Sequence, residues 1–178
     1  MWNFPIAFLS LFTPRPTEIL LSKTPNPLPT TTSINMAAAT TSAVAKRMIG
    51  KLSPKSTAML LCDVQDRFRP IIHNSETVIS NSRLLTSACD ILDIPVVITE
   101  QYPKAFGPTV TECFQDGNFG KNKVFPKTLF SMMTPEVSEH IQSLNATSFI
   151  ISGIETHVCV QQTVLDLLEV SFFYVNKC

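Results

Sequence analysis

Four short apolar runs, each ended by a polar or turn residue, constrain this chain more than any other feature. They are AMLLCDV ending at Asp63 and Val64, PVVITE from Pro95, KVFPK ending at Lys127, and FIIS from Phe149 to Ser152. Continuous apolar runs of this length suit strands buried on both faces, the pattern of a parallel sheet. Between them the apolar period lengthens to that of a helix. Ser75 is read as a cap for a helix whose stripe is Val78, Leu84, Leu85, Ala88, Ile91 and Leu92. Thr134-Pro135-Glu136 is a capped helix start with proline at the first position, followed by the apolar residues Val137, Ile141 and Leu144. A last helix carries Cys159 in its first turn, with Thr156 as its expected cap and Val160, Val164, Leu167 and Leu168 on one side.

Strand–helix–strand repeats joined by right-handed crossovers give an α/β fold. The expected architecture is three-layered and Rossmann-like, a mostly parallel sheet with helices on both faces. Ligands of such sheets bind beyond the carboxyl ends of the strands. Asp63, Lys127 and Cys159 each follow an apolar run, so all three are expected at the same sheet edge. Taken singly, Cys159 reads as a small core residue, Asp63 as a turn cap and Lys127 as surface charge. Together a carboxylate, an ammonium and a thiol make a chemically complete set. A thiol attacks as thiolate. Helix-start N–H groups favour that charge, and Asp63 can take the proton as a base while Lys127 holds the carboxylate. The N–H groups of the same turn, that of Cys159 included, would serve as an oxyanion hole. The reaction class expected is acyl transfer to water through a thioester.

Composition narrows the alternatives. The charges balance at 14 basic and 14 acidic residues, which gives no basic face for nucleic acid or an anionic membrane. No stretch is apolar for long enough to span a bilayer. Five cysteines without a C-x-x-C pair argue against both a disulfide framework and a zinc ribbon, and for a reducing compartment. His157 lies two residues from Cys159, but His73 and His140 supply no further ligand pair, so no metal site is expected. SGIET is not a G-x-S-x-G elbow, and five glycines form no phosphate loop, so no nucleotide cofactor is indicated.

Residues 1–50 are read apart from the fold. Six of the 13 prolines fall before residue 30, Ser and Thr are frequent, and Glu18 is the only acid of the first 45 residues. Such a leader is either an organellar transit segment or a disordered extension, with Met36 as a second start besides Met1. The expected compartment is accordingly the cytoplasm, or a mitochondrion or plastid if the leader is a transit segment.

LLCDVQDRF, the KT after VFP, and SGIETHVCV resemble the signature segments of the isochorismatase-like cysteine hydrolases. TEQYPKAFGPTV and KTLFSM are similar to the isochorismatase domain-containing subgroup. The resemblance runs from about Thr57 to Glu169 and assigns this domain to 55–178. It implies a catalytic triad of Asp63, Lys127 and Cys159 that hydrolyses a small amide or related acyl compound. It further implies a non-proline cis peptide joining Ile154 and Glu155, with the Glu155 N–H completing the oxyanion hole, and Gln65 and Phe68 near the pocket. Nicotinamidases of this superfamily bind a metal through an aspartate and histidines after the second strand. Here Glu100, Gln101 and Tyr102 stand there, so neither metal nor nicotinamide specificity carries over, and these three become candidate pocket residues. After LDLLE the family continues with a glycine-led strand, a helix and further sheet, whereas this chain reads VSFFYVNKC. The resemblance therefore implies a truncated domain without its last helix and strand, with SFFYV a candidate fifth strand. Two roles stay open: a cysteine hydrolase acting on a small-molecule substrate, as a monomer or homo-oligomer, or an inactive truncated isoform that binds small molecules or pairs with other subunits.

Overall fold

The computed structural model describes residues 52–175, with side chains to Glu169. The leader, residues 1–50, lies outside the described residues. Strands β1 (Thr57–Cys62), β2 (Val96–Gln101), β3 (Lys123–Lys127) and β4 (Ser148–Gly153) form one parallel sheet in the order β3-β2-β1-β4. Helix α1 (Ser75–Ile91) links β1 to β2, a single turn α2 (Pro103–Phe106) follows β2, and α3 (Pro135–Ser143) links β3 to β4. A π-helical turn, Thr156–Val160, leads into α4 (Gln161–Val175).

The central strand β1 is wholly buried because each face meets its own core. Ala58, Leu60 and Cys62 point one way, toward Val137 and Ile141 of α3 and toward Cys159, Val160 and Leu167. Met59 and Leu61 point the other way, toward Ile79 and Cys89 of α1, Ile98 and Val110. The period of two along β1 thus sorts its side chains between the two helical layers. A continuous apolar run was the only pattern able to satisfy both.

Three local expectations are corrected. Helix α1 buries only part of the stripe expected of it: Val78 and Leu85 pack against the core, but Leu84, Ile91 and Leu92 are 67%, 84% and 52% exposed. The inward face is Ile79, Ser82, Thr86 and Cys89. Its two hydroxyls are satisfied, since Thr86 Oγ1 donates to the Cys113 carbonyl at 2.6 Å and Ser82 Oγ meets Ser152 Oγ at 3.3 Å. Small polar residues fit where a helix lies close to a sheet and hydrogen bonds offset their desolvation. The N-cap of α1 is Asn74 in the left-handed region, while Ser75 is the first helical residue and donates its hydroxyl to the Arg69 carbonyl. Finally, SFFYV is no fifth strand: the backbone of α4 continues through Val175. Its β-prone residues follow an established helix, and context outweighs so weak a preference. By contrast Thr134 caps α3 as its sequence indicates, accepting from the Val137 N–H at 3.3 Å.

Candidate active site

Asp63 directly follows β1 and takes φ +53°, the left-handed region that few non-glycine residues enter. Its backbone stays tied to the sheet through its N–H to the Thr99 carbonyl at 3.2 Å. The side chain is 1% exposed and receives three donors. Thr99 Oγ1 donates to Oδ1 at 2.8 Å, Lys127 Nζ lies 2.7 Å from Oδ2, and the Cys62 thiol points at Oδ2 from 3.5 Å. Carboxylate burial at this depth is tolerated only with such pairing.

Lys127 closes β3, and its side chain is fully buried. Its ammonium also donates to Gln101 Oε1 at 2.6 Å and to the carbonyls of Leu129 and Phe130, each at 3.0 Å. An ammonium has three N–H groups and meets four acceptors here, so its donor capacity is fully used. It clamps the carboxylate rather than reaching out toward a ligand.

Cys159 lies in the π-helical turn, 8% exposed, in the core cluster on the Cys62 face of β1. The turn begins one residue earlier than the sequence suggests. Glu155, not Thr156, is its N-cap, and the Glu155 carbonyl accepts from Val158 at 3.2 Å and from Val160 at 3.1 Å. That second bond is the wide i→i+5 closure of a π turn, a geometry that recurs at functional sites. The Ile154–Glu155 peptide is cis, and the Ile154 N–H donates to the Cys62 carbonyl at 3.0 Å. Thr163 Oγ1 donates to the Cys159 carbonyl at 2.6 Å and accepts from the Met132 N–H at 2.9 Å. Thr163 therefore joins the cysteine turn to the loop that follows Lys127.

Cys159 shares a core cluster with Cys62, and the Asp63 and Lys127 charges both act on its thiol. The neighbouring Cys62 thiol lowers the Cys159 pKa against burial and the Asp63 charge, with help from Lys127. Cys62 moves the opposite way, held well above the ordinary thiol range by the neighbouring Cys159 thiol, by burial and by the nearby Asp63 charge. One thiol of the pair is thus disposed to ionise and the other to keep its proton. On the opposite face burial pushes Cys89 to about 11, and burial with the Glu112 charge outweighs Arg69 and Ser82 to push Cys113 to about 12.

The remaining sequence candidates take different positions. Gln65 is 1% exposed and serves as a brace: its Nε2 donates to the Gln101 and Gly107 carbonyls at 3.0 and 2.6 Å, and its Oε1 accepts from the Gln101 N–H at 2.8 Å. Gln101 in turn holds Lys127. Glu100 accepts from both the N–H and the hydroxyl of Thr109, at 2.7 and 2.9 Å, fastening the loop after α2. Tyr102 is half exposed, and its N–H donates to the Lys127 carbonyl. Phe68 stacks on Phe106 with ring centroids 4.8 Å apart. It also lines a small, mostly apolar hollow with Val64, Ile72, Val78, Val110 and Ile154, and that hollow includes none of Asp63, Lys127 and Cys159. His157 lies outside the cluster, with Nε2 3.5 Å from the Glu155 carboxylate. Among the described residues no group of three or more His, Cys, Asp or Glu could hold a metal ion, and no helix is long and apolar enough to cross a membrane. Cys62, Thr99 and Thr163 were missed from the sequence. Strand alternation places Cys62 on the Cys159 side of β1, so that one was available.

A buried carboxylate, ammonium and thiol gathered at the carboxyl ends of parallel strands define a three-layer α/β protein with a thiol-centred site. The chain belongs to the isochorismatase family: the profile of the Isochorismatase domain matches residues 57–174. It is 46% identical over 122 residues to isochorismatase domain-containing protein 2 of Danio rerio, covering 68% of this chain and 60% of that protein. It is 41% identical over 128 residues to the secreted isochorismatase effector Isc1 of Phytophthora sojae, covering 70% and 61%. Among solved structures it is similar to MAR1 ribonuclease from Caenorhabditis elegans, with TM-score 0.63, 39% identity, and 68% and 62% of the two chains covered. A cysteine hydrolase from Pseudomonas syringae shares the fold alone, with TM-score 0.58, 15% identity and coverage of 66% and 68%. The chain spans about three-fifths of the length of the curated relatives it matches first.

Proposed function

We propose that this chain carries the catalytic centre of a cysteine-dependent hydrolase of the isochorismatase-like superfamily, acting on a small amide or related acyl compound. The observation that carries the reading is the buried Asp63 carboxylate, clamped by Lys127 at 2.7 Å and near enough to Cys159 for its charge to act on the thiol. Asp63 takes the thiol proton, and the Cys159 sulfur attacks the substrate carbonyl carbon. The negative charge on the carbonyl oxygen is stabilised by the N–H groups of Glu155 and Cys159. As the tetrahedral adduct collapses, the C–N bond breaks and Asp63 returns the proton to the leaving amine. Water then gives its proton to Asp63 while its oxygen attacks the thioester, releasing the carboxylic acid and restoring the thiol. Lys127 keeps the Asp63 carboxylate oriented through both half-reactions.

The site favours this reading over cleavage of a polyanion. The Lys127 ammonium is saturated by internal acceptors, and the chain's formal net charge is zero, so nothing at the site is reserved for a phosphate backbone. The reading is tested by assaying the full chain against a panel of small amides and esters. Turnover abolished by Cys159→Ser and lowered at least 100-fold by Asp63→Asn supports it. Turnover unchanged by Cys159→Ser overturns it.

A further inference from the structure

The hydrolytic cycle makes no use of Cys62 as a reactant, although its sulfur occupies the centre of the cluster. Cys62 is fully buried and shares a core cluster with Cys159. Strand β4 approaches Cys62 closely at Gly153, six residues before Cys159. Cys62 pairs with Gly153 in the β1–β4 register, and Gly153 has φ +144°. A Cβ there would stand 2.0 Å from the Cys62 carbonyl oxygen and 2.7 Å from its Cβ. Only a glycine lets the end of β4 press this closely on Cys62, and the turn that follows β4 carries Cys159 into the same core cluster.

We propose that Cys159 and Cys62 form a peroxide-modification site, in which Cys159 is oxidised by a hydroperoxide and Cys62 resolves the product into an internal disulfide. In the first step the Cys159 thiolate attacks the peroxide. The S–O bond forms as the O–O bond breaks, giving sulfenic acid and, after protonation of the leaving oxygen, water or an alcohol. In the second step the Cys62 sulfur attacks the Cys159 sulfur and the S–O bond breaks. The Cys62 proton passes to Asp63 Oδ2, toward which the thiol already points from 3.5 Å, and from there to the leaving hydroxide as water. Sulfur is oxidised and peroxide oxygen reduced, two electrons in all. Division of labour follows from exposure: Cys159 is 8% exposed, whereas Cys62 has no exposed surface. Cys89 and Cys113 lie on the other face of the sheet, with Cys89 directed at the Met59 sulfur at 3.6 Å, so neither competes. Thiol reductants return the pair to its starting state.

This modification requires the Cys159 thiolate but not a substrate carbonyl or oxyanion hole, so it stands even if hydrolysis fails. The full chain is reduced, freed of reductant, exposed to hydrogen peroxide, quenched with N-ethylmaleimide and mapped by mass spectrometry. The expected product has lost two hydrogens, carries a single Cys62–Cys159 crosslink and reverts with dithiothreitol. Cys89→Ser should crosslink like the parent chain. In Cys62→Ser the crosslink should vanish and Cys159 should proceed to sulfinic acid. Overturning results are a parent chain in which Cys159 becomes sulfinic acid while Cys62 stays a free thiol, an unmodified Cys159, or crosslinks spread equally over Cys89 and Cys113.

Discussion

Lys127 Nζ stands 2.7 Å from Asp63 Oδ2 with both side chains withdrawn from solvent, and every other contact of that ammonium is to an internal oxygen. The pair is a structural clamp before it is anything chemical. Removing one partner leaves an uncompensated buried charge, which typically costs about 3–5 kcal/mol. Lys127→Met should therefore lower the denaturation midpoint by roughly that much stability. Replacing both residues, as Asp63→Asn with Lys127→Met, should lose less than the sum of the single changes, because no lone charge remains. Chemical denaturation of the four chains measures the difference, and additive losses would show that the two are not coupled.

The hydroxyl of Thr163 accepts from the Met132 N–H and donates to the Cys159 carbonyl, and the residue is fully buried. Thr163→Val preserves the shape and removes both bonds. The expected cost is about 1–3 kcal/mol for the buried groups left unpaired. Cys159 alkylation should also slow relative to that of the parent chain, since the turn loses its link to the Lys127 loop. A stability loss without any change at Cys159 would separate Thr163 from the site.

The direction of the Cys159 shift gives a pH prediction. The neighbouring Cys62 thiol lowers the Cys159 pKa, with help from Lys127, so the proton leaves at a pH below the ordinary thiol value. The rate of Cys159 carbamidomethylation should rise through an inflection below that value. In Cys62→Ala that neighbour is gone and the inflection should move to higher pH. Cys89 and Cys113, pushed to about 11 and about 12, should stay unlabelled near neutrality while the fold holds. Peptide mapping of labelled chains across pH reads all of these at once.

Gly153 has no space for a side chain and adopts a positive φ as well. Gly153→Ala should destabilise the chain by about 3 kcal/mol or more. The obstructing atoms are the Cys62 backbone, which cannot swing away as a flexible side chain would. A melting temperature unchanged by this substitution would contradict the β1–β4 register at Cys62.

Much of this arrangement was legible in the residues, for a physical reason. Strands buried on both faces must be continuously apolar, so AMLLCDV, VVITE and FIIS announce themselves, and parallel connection sends their last residues to one edge. That is why Asp63, Lys127 and Cys159 could be placed together without any atom located. Helix α1 was misread because apolarity was taken as a proxy for burial. Leu84 and Ile91 are more apolar than Ser82 and Thr86, yet the hydroxyls face inward because each finds a partner on a neighbouring element. Such partners are nonlocal and leave no periodic trace. The start of the π turn at Glu155 and the bracing roles of Gln65, Gln101 and Glu100 were hidden for the same reason. Each depends on which backbone carbonyl or N–H a folded loop presents. SFFYV failed differently: its residues suit a strand, but they extend a helix already nucleated upstream.

Acylation of Cys159 with Asp63 as its base is read by intact-mass and peptide analysis of the chain quenched in acid during reaction with an activated small acyl substrate. A single acyl group is expected on Cys159, held as a hydroxylamine-labile thioester and lost in Asp63→Ala. Acylation shared equally among Cys159, Cys89 and Cys113, or persisting undiminished in Asp63→Ala, would contradict it.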